Sequence, residues 1–576
     1  MAKLNINGIQ VTVPDGTRLL DACKKAGFNI PTLCYLKDVS SDGSCRVCVV
    51  EVKGARSLVV ACATTVRDGM EVITDSPAVI EARKMTLELL ISNHNSDCLS
   101  CSRSQNCDLQ KLSLEYGCDQ NAYAGCKTKF DIDDQNAFIV RDYNKCILCR
   151  RCSNVCKVVQ DVGVVTAVGR GFTTHIGCAF DVELGESPCV ACGQCVAVCP
   201  TAALKEKTNI SQVVDAVNDA SKHVIVATAP AVRVGLGDEF GMKTGDFVEG
   251  KMVAGLRRLG FDKVFDINFS ADLTIMEEGH EFLDRLNNNS GPLPMVTSCS
   301  PGWVRYVEFY APEFIDNLST CKSPQQMFGA IAKTYYAEKN GINPKDIVVV
   351  TIMPCTAKKY EITREYQAAS GYPDVDYVLT TKELARLIKM KGIDFESLPK
   401  ESFDDLLGTG STAGLIFGTS GGVMEAALRT ISEVVLNKPL NNLDFKNIRG
   451  TKGVKEAEIK LGDKTVKVAV VSGIANAKKV LADVKSGKKK YHFIEMMACP
   501  GGCVNGGGQP VKSVQNRAET AGTRGKSMYK ADKASGLRKS HENPAIKTLY
   551  KDYLGKPGGD KAHKLLHTKY AKSDKF

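Results

Sequence analysis

The sequence predicts a multidomain protein of mixed α+β and α/β class, with three small cysteine-rich domains ahead of one large α/β domain. Three observations carry this. A chain of 576 residues is longer than a single core sustains, so several domains are required. Most of its 24 cysteines crowd before residue 200, many at C-x-x-C spacing, the pattern of metal sites in a large chain. Beyond about residue 208 thiols become sparse and buried-strand runs appear: "HVIVATAP", "KVFDINF", "IVVVTIMPC", "VKVAVVSG" and "YHFIEMMAC". Each is followed by a loop and then helical periodicity.

The first domain, 1–78, opens with "LNINGIQVTV", alternating strands about Asn7-Gly8, a two-residue hairpin signal. "DGTRLLDACKKAG" then gives a helix capped by Thr17 and stopped at Gly27, with Cys23 on its apolar side. Cys34, Cys45, Cys48 and Cys62 fall in loops of this β-grasp-like unit. They fit a [2Fe–2S] site of plant-ferredoxin type, although the first gap is ten residues rather than four; zinc is the alternative. In the second domain, 79–125, the helical "AVIEARKMTLELLISNHN" leads to His94, Cys98, Cys101 and Cys107. Four such ligands suit a [4Fe–4S] cluster or zinc, and the neighbouring sites favour iron–sulfur.

The third domain, 126–207, holds an internal repeat, "CILCRRCSNVCKVV" and "CVACGQCVAVCPTA". This is the bacterial pattern in which the fourth cysteine of each run binds the other run's cluster. Cys146, Cys149, Cys152 and Cys199 are thus expected on one [4Fe–4S] cubane, and Cys189, Cys192, Cys195 and Cys156 on a second. Cys118, Cys126, Cys178 and Cys321 have no spacing partner and read, with Cys23, as structural or incidental. Cys299, Cys355, Cys499 and Cys503 remain for the α/β domain, 208–576, where "MPC" and "MMAC" end strands, the place such folds put their chemistry.

Hydrophobic residues make up 43% of the chain and charged residues 24%, an ordinary globular balance. The net charge is +10, with lysines gathered in the last hundred residues: a solvated basic surface, or a landing surface for an acidic partner. No interleaved basic and aromatic motif points to nucleic acid. No apolar run reaches the roughly 18 residues of a membrane span, and the N-terminus reads as a hairpin rather than a leader. A reducing, cytoplasmic compartment is expected.

Three loops, "TSCSPGW" (297–303), "MPCTAKKYE" (353–361) and "EMMACPGGCVNGGGQP" (495–510), together resemble those of the [FeFe]-hydrogenases, specifically the large monomeric clostridial type with four accessory clusters. The resemblance implies one [2Fe–2S] and three accessory [4Fe–4S] clusters. It also implies an H-cluster, a [4Fe–4S] cubane bridged to a diiron unit carrying CO, cyanide and azadithiolate. By position, Cys355 and Cys499 would ligate the cubane and Cys503 would bridge it to the diiron unit. Lys358 and the backbone near Pro230 would hold cyanide, and Gln325, Met353, Phe417 and Met497 would line the pocket. The implied proton route is Cys299, Glu278, Ser319, Glu281 and, at the surface, Arg285. Without the resemblance, "MEEGHEFLDRL" reads as a solvated helix face.

Two positions depart from the family pattern. Ala231 stands where the clostridial enzymes carry serine, and the usual T-S-C-C-P loop here has Ser300 at the fourth ligand position of the cubane. A hydroxyl is a harder, less readily deprotonated donor than a thiol. Adjacent side chains of an extended segment point opposite ways, so Cys299 is expected to stay the relay, with Ser300 presenting oxygen or nothing to iron.

The expected function is reversible reduction of protons to hydrogen, with electrons from ferredoxin or a similar acidic carrier and with maturation proteins that install the H-cluster. One alternative is the catalytic subunit of an NAD(P)-linked bifurcating hydrogenase with flavoprotein partners, whose loops T-S-C-S-P resembles. The chain has no G-x-G-x-x-G or Walker loop of its own. Another is a non-catalytic electron-transfer or hydrogen-sensing homologue. The N-terminal half alone would also suit a complex I-like or formate dehydrogenase subunit.

Overall fold

The computed structural model describes residues 1–574 apart from residue 124. The chain forms two compact units, one of residues 1–159, 163–187 and 198–205, the other of 160–162, 188–197 and 206 onward. The repeat is therefore divided, its second C-x-x-C run belonging with the second unit. No helix among the described residues is long and apolar enough to cross a membrane.

In the first unit, strands Ala2–Ile6 and Ile9–Val13 pair antiparallel about Asn7 (φ 49°) and Gly8 (φ 85°), the left-handed pair that a tight hairpin requires. The sheet continues through Glu71–Ile73 and Val49–Val52 to Val59–Val60. The helix runs Leu19–Lys25 with Cys23 fully buried beneath it. Arg18, not Thr17, precedes it, and the Thr17 hydroxyl donates to the Pro14 carbonyl at 2.6 Å. Helix Pro77–Ser92 starts as the sequence demands, with Ser76 Oγ accepting from the Val79 N–H and proline in the first turn.

The second unit is α/β, and its strand runs divide between two sheets. Lys263–Asp266, His223–Thr228, Ile347–Met353 and Tyr377–Thr380 form one, wholly parallel. Its strands are buried on both faces, which is why they read as unbroken apolar runs. Met295–Val296, Phe493–Met497 and Lys464–Ser472 are parallel in the other, with Val454–Leu461 antiparallel at its edge. The long helix Ile267–Asn288 packs against helices Pro324–Ile331 and Gly422–Leu436.

Candidate active site

Carboxyl ends of strands from both sheets open onto one chamber. Strand Ile347–Met353 runs into Cys355, Phe493–Met497 into Cys499, Met295–Val296 into 297–300, and His223–Thr228 into 229–231. The chamber is walled by Cys299, Ser300, Cys355, Cys499 and Cys503. Pro230, Gln325, Met353, Lys358, Phe417 and Met497 also line it. Ala231 and Cys192 reach the same wall.

The polar side chains are held from behind. Lys358 Nζ donates to the Cys299 carbonyl (3.1 Å) and to both oxygens of Glu361 (3.1 and 2.9 Å). Glu361 also accepts from Ser323 Oγ (2.9 Å) and Gln325 Nε2 (3.1 Å), while Gln325 Oε1 accepts from Thr351 Oγ1 (2.9 Å). Glu495 accepts from the Gly421 and Met424 N–H groups (2.6 and 2.7 Å) at the start of helix Gly422–Leu436, fixing the loop that carries Phe417 and Gly418. The glycines after Cys503 permit backbone contact: a Cβ on Gly507 would lie 2.6 Å from Gly193 Cα, and one on Gly506 2.0 Å from the Pro354 carbonyl oxygen.

Cys299 and Ser300 take different environments. Cys299 packs beside Phe417 and Met497 in an apolar cluster, and burial, then the charge of Glu278, push its thiol well up. Ser300 precedes helix Pro301–Tyr310 without capping it; its Oγ accepts instead from the Ala498 N–H at 3.3 Å, beside Cys499.

From Cys299 an acid chain leads along helix Ile267–Asn288. Glu278 is 1% exposed with Oε2 unpaired, and burial, reinforced by the charge of Glu281, raises its carboxyl to about 8. Ser319 contacts Glu278 and donates to Glu281 Oε2 at 3.0 Å; Arg285 meets Glu281 Oε1 at 2.6 Å. The solvated-face reading of this helix fails, and so does the placing of Arg285 at the surface. Arg285 is 5% exposed, and its guanidinium is consumed by the carbonyls of Pro292, Asp316, Asn317 and Leu318. Cys321, set aside as incidental, lies on the same chain, its Sγ 3.7 Å from Glu281 Oε2.

The accessory loops share a construction. Cys34 contacts Cys45 and Cys62, and Cys48 contacts Cys62, thiol to thiol, which drives Cys34 far below the ordinary thiol range. Cys146, Cys149, Cys152 and Cys199 line one cavity of the first unit. Leu148 and Arg150 between these thiols are left-handed (φ 52° and 60°); Ala191 and Gly193 repeat this in the second unit (φ 55° and 67°). Left-handed backbone costs a non-glycine residue about 1–2 kcal/mol, and here it turns amides inward. The Leu148 N–H points at Cys146 Sγ and the Ala191 N–H at Cys189 Sγ, both at 3.4 Å. Cys156, in the first unit, takes backbone N–H groups from Val165, Val164 and Gly163. His94 is buried with Nδ1 unpaired, and burial holds it down to about 4, so it stands neutral as a ligand must. Cys98 and Cys101 are half-buried in the turn beyond it, and Cys107 precedes helix Asp108–Glu115.

Among the described residues, none of these thiol sets draws three donor atoms within 4.8 Å of one another, the compactness a single ion needs. Thiols met by inward-turned backbone amides suit polynuclear iron–sulfur clusters. Sequence reasoning missed Gln194, whose Nε2 donates to Cys499 Sγ at 3.2 Å, and Arg517, which holds Gln194 Oε1 at 2.8 Å. Nothing local marks either: one is filler inside C-G-Q-C, the other lies far along the chain.

A thiol-walled chamber with a buried acid chain behind it, joined in one chain to amide-lined cluster loops, defines an iron–sulfur oxidoreductase. Comparison with known proteins makes this specific. Residues 222–507 match the family described as iron only hydrogenase large subunit, C-terminal domain, and 518–573 match iron hydrogenase small subunit. Residues 1–77 match a 2Fe-2S iron-sulfur cluster binding domain, 83–122 the NADH-ubiquinone oxidoreductase-G iron-sulfur binding region, and 145–203 a 4Fe-4S dicluster domain. The chain is 49% identical to the NADP-reducing hydrogenase subunit HndD of Solidesulfovibrio fructosivorans, covering 100% of both chains. It is 42% identical to iron hydrogenase 1 of Clostridium pasteurianum, over 99% of this chain and 100% of that one. A solved apo [FeFe]-hydrogenase HydA1 variant from Chlamydomonas reinhardtii is 43% identical, covering 64% of this chain and 99% of its own, with a TM-score of 0.57. The chain belongs to the iron-only hydrogenases, enzymes of hydrogen metabolism, here with accessory iron–sulfur domains.

Proposed function

We propose that this chain catalyses 2H⁺ + 2e⁻ ⇌ H₂ in the chamber, with Cys355 and Cys499 holding a cubane and Cys503 bridging it to a diiron subsite. The carrying observation is the convergence of these three thiols and Cys299 on one chamber wall, with the acid chain behind Cys299. When bound, the H-cluster, with its CO, cyanide and azadithiolate ligands, supplies the joining of protons and electrons. The chain's own residues do the rest. Lys358 and the backbone near Pro230 would hold cyanide; Met353, Phe417 and Met497 exclude water. Ser300 Oγ offers oxygen to the cubane's fourth position, and Ala231 offers no hydroxyl.

Cys299 takes a proton from Glu278, which is replenished through Ser319 from Glu281, with Arg285 orienting Glu281. Cys192 at the chamber wall and Gln194 on Cys499 support entry of electrons through the second C-x-x-C run. The accessory set would be one [2Fe–2S] cluster on Cys34, Cys45, Cys48 and Cys62, and three [4Fe–4S] clusters, in domains 1–78, 79–125 and 126–207 ahead of the catalytic 208–576. Cysteine usage suits a cytoplasmic setting.

Ferredoxin is the proposed donor. The 49% identity to an NADP-reducing hydrogenase subunit favours, as a second reading, flavoprotein partners that deliver electrons from NAD(P)H. Fully maturated protein given reduced viologen is expected to evolve hydrogen, and Cys299→Ala to abolish it with the cluster spectra unchanged. Intact clusters without hydrogen would leave the electron-transfer or sensing alternative. Copurifying flavoproteins would decide for the second reading of the donor.

A further inference from the structure

We infer that Arg517 is the shared counter-cation of two iron–sulfur clusters, the one on Cys355 and Cys499 and the one on the second C-x-x-C run, and that it raises the reduction potential of both. The inference rests on the cluster assignments proposed above. A buried charge is costly unless an opposite charge faces it. Arg517 is half-buried with its Nε enclosed and unpaired, and among the described residues no carboxylate meets it. Its Nη2 donates only to neutral oxygens, Gln194 Oε1 at 2.8 Å and the Asn505 carbonyl at 3.2 Å. The ionisable groups it faces are the thiols of Cys499 and Cys192 and the guanidinium of Arg524. Arg524 already has its anion, Asp238 at 2.6 Å. The two thiols are left to answer the Arg517 charge. Burial, ahead of their opposing pull, lowers that guanidinium only to about 10, so it is cationic at neutrality.

The two thiols belong to loops that are pressed together. Thr356 Oγ1, next to Cys355, donates to the Ala191 carbonyl at 2.7 Å, and a Cβ on Gly193 would lie 3.1 Å from Gly507 Cα. Gln194, 1% exposed, spans the join: its Nε2 donates to Cys499 Sγ at 3.2 Å and to the Asn505 carbonyl at 3.3 Å. Arg517 sets which way that amide faces. With Oε1 taken by the guanidinium, the amino end is the one turned to the sulfur.

A cluster held by thiolates is net anionic and gains a further negative charge on reduction. A fixed cation beside it stabilises the reduced form more than the oxidised one, and an N–H donated to a ligand sulfur acts in the same direction. Arg517 does both at Cys499, by its field and through Gln194, and acts by its field at Cys192. It is a positioning residue that ligates neither cluster.

The test is a redox titration of the cluster EPR signals in the maturated full-length protein. Arg517→Gln and Arg517→Met are each expected to make reduction of both clusters about tenfold less favourable, a fall of about 59 mV for a one-electron couple, with iron per chain unchanged. Arg517→Lys, which keeps the charge, should stay near the parent. The [2Fe–2S] cluster serves as the internal reference and should hold its potential in all three variants. Parental potentials in both neutral variants, or a fall in Arg517→Lys as large as theirs, overturns the inference. Loss of cluster iron from both neutral variants overturns it as well, since the residue would then be structural. The parental spectra report separately on the cluster assignments themselves.

Discussion

Glu278 shows how burial sets chemistry at the scale of one residue. Its carboxyl, moved from an ordinary 4.5 to about 8 by burial and then by the charge of Glu281, stays protonated through neutrality and loses its proton as pH rises through 8. Proton delivery to Cys299 is therefore expected to be flat below pH 8 and to fall about tenfold per unit above it. Glu278→Gln should abolish delivery; an unchanged profile in that variant would remove the residue from the route. Ser300 is the other decisive residue. A thiol there would give iron a softer fourth donor, so Ser300→Cys is expected to slow chelator removal of cubane iron and to shift the cubane's EPR signal. Identical iron retention and spectra in the two proteins would show that position 300 does not meet iron.

Loops rather than helices carry the design at the scale of elements, and loops were the most legible part of the sequence. Strand runs ending in cysteine and the Asn7-Gly8 turn are local signals, and both produced the local structure expected. What was illegible depends on tertiary neighbours. The α/β strand runs look alike yet divide between two sheets. The Glu278–Arg285 face looks solvated because nothing in the helix reveals that the 316–318 carbonyls will close over Arg285. Thr17 stands one residue ahead of the cap position, which Arg18 occupies. The glycines of "CVNGGGQP" are explained by close backbone approach. Gly507→Ala would drive a Cβ to 2.6 Å from Gly193 Cα, and is expected to loosen both the Cys503 loop and the second C-x-x-C run. The measurement is iron per chain after purification, which should fall; parental iron content would show that the backbones can separate at little cost.

At the scale of the whole molecule, the proposed function has two kinds of conduit meeting one chamber within the second unit. Electrons would enter past Cys192 at the chamber wall and Gln194 on Cys499, and protons along the chain from Cys299 through Glu278 and Ser319 to Glu281. The fold supplies what both need: strand ends from two parallel arrays, glycine-permitted loop contacts, and buried carboxylates such as Glu361 and Glu495 that hold the walls. The central claim is that Cys355, Cys499 and Cys503 grip iron together in that chamber. Anomalous diffraction at the iron edge from crystals of the maturated protein tests it most directly. Iron density within bonding reach of all three sulfurs, continuing past Cys503 toward Cys299, is the predicted result. Accessory sites filled with iron while the chamber shows none, or three sulfurs too far apart to share one cluster, would contradict it.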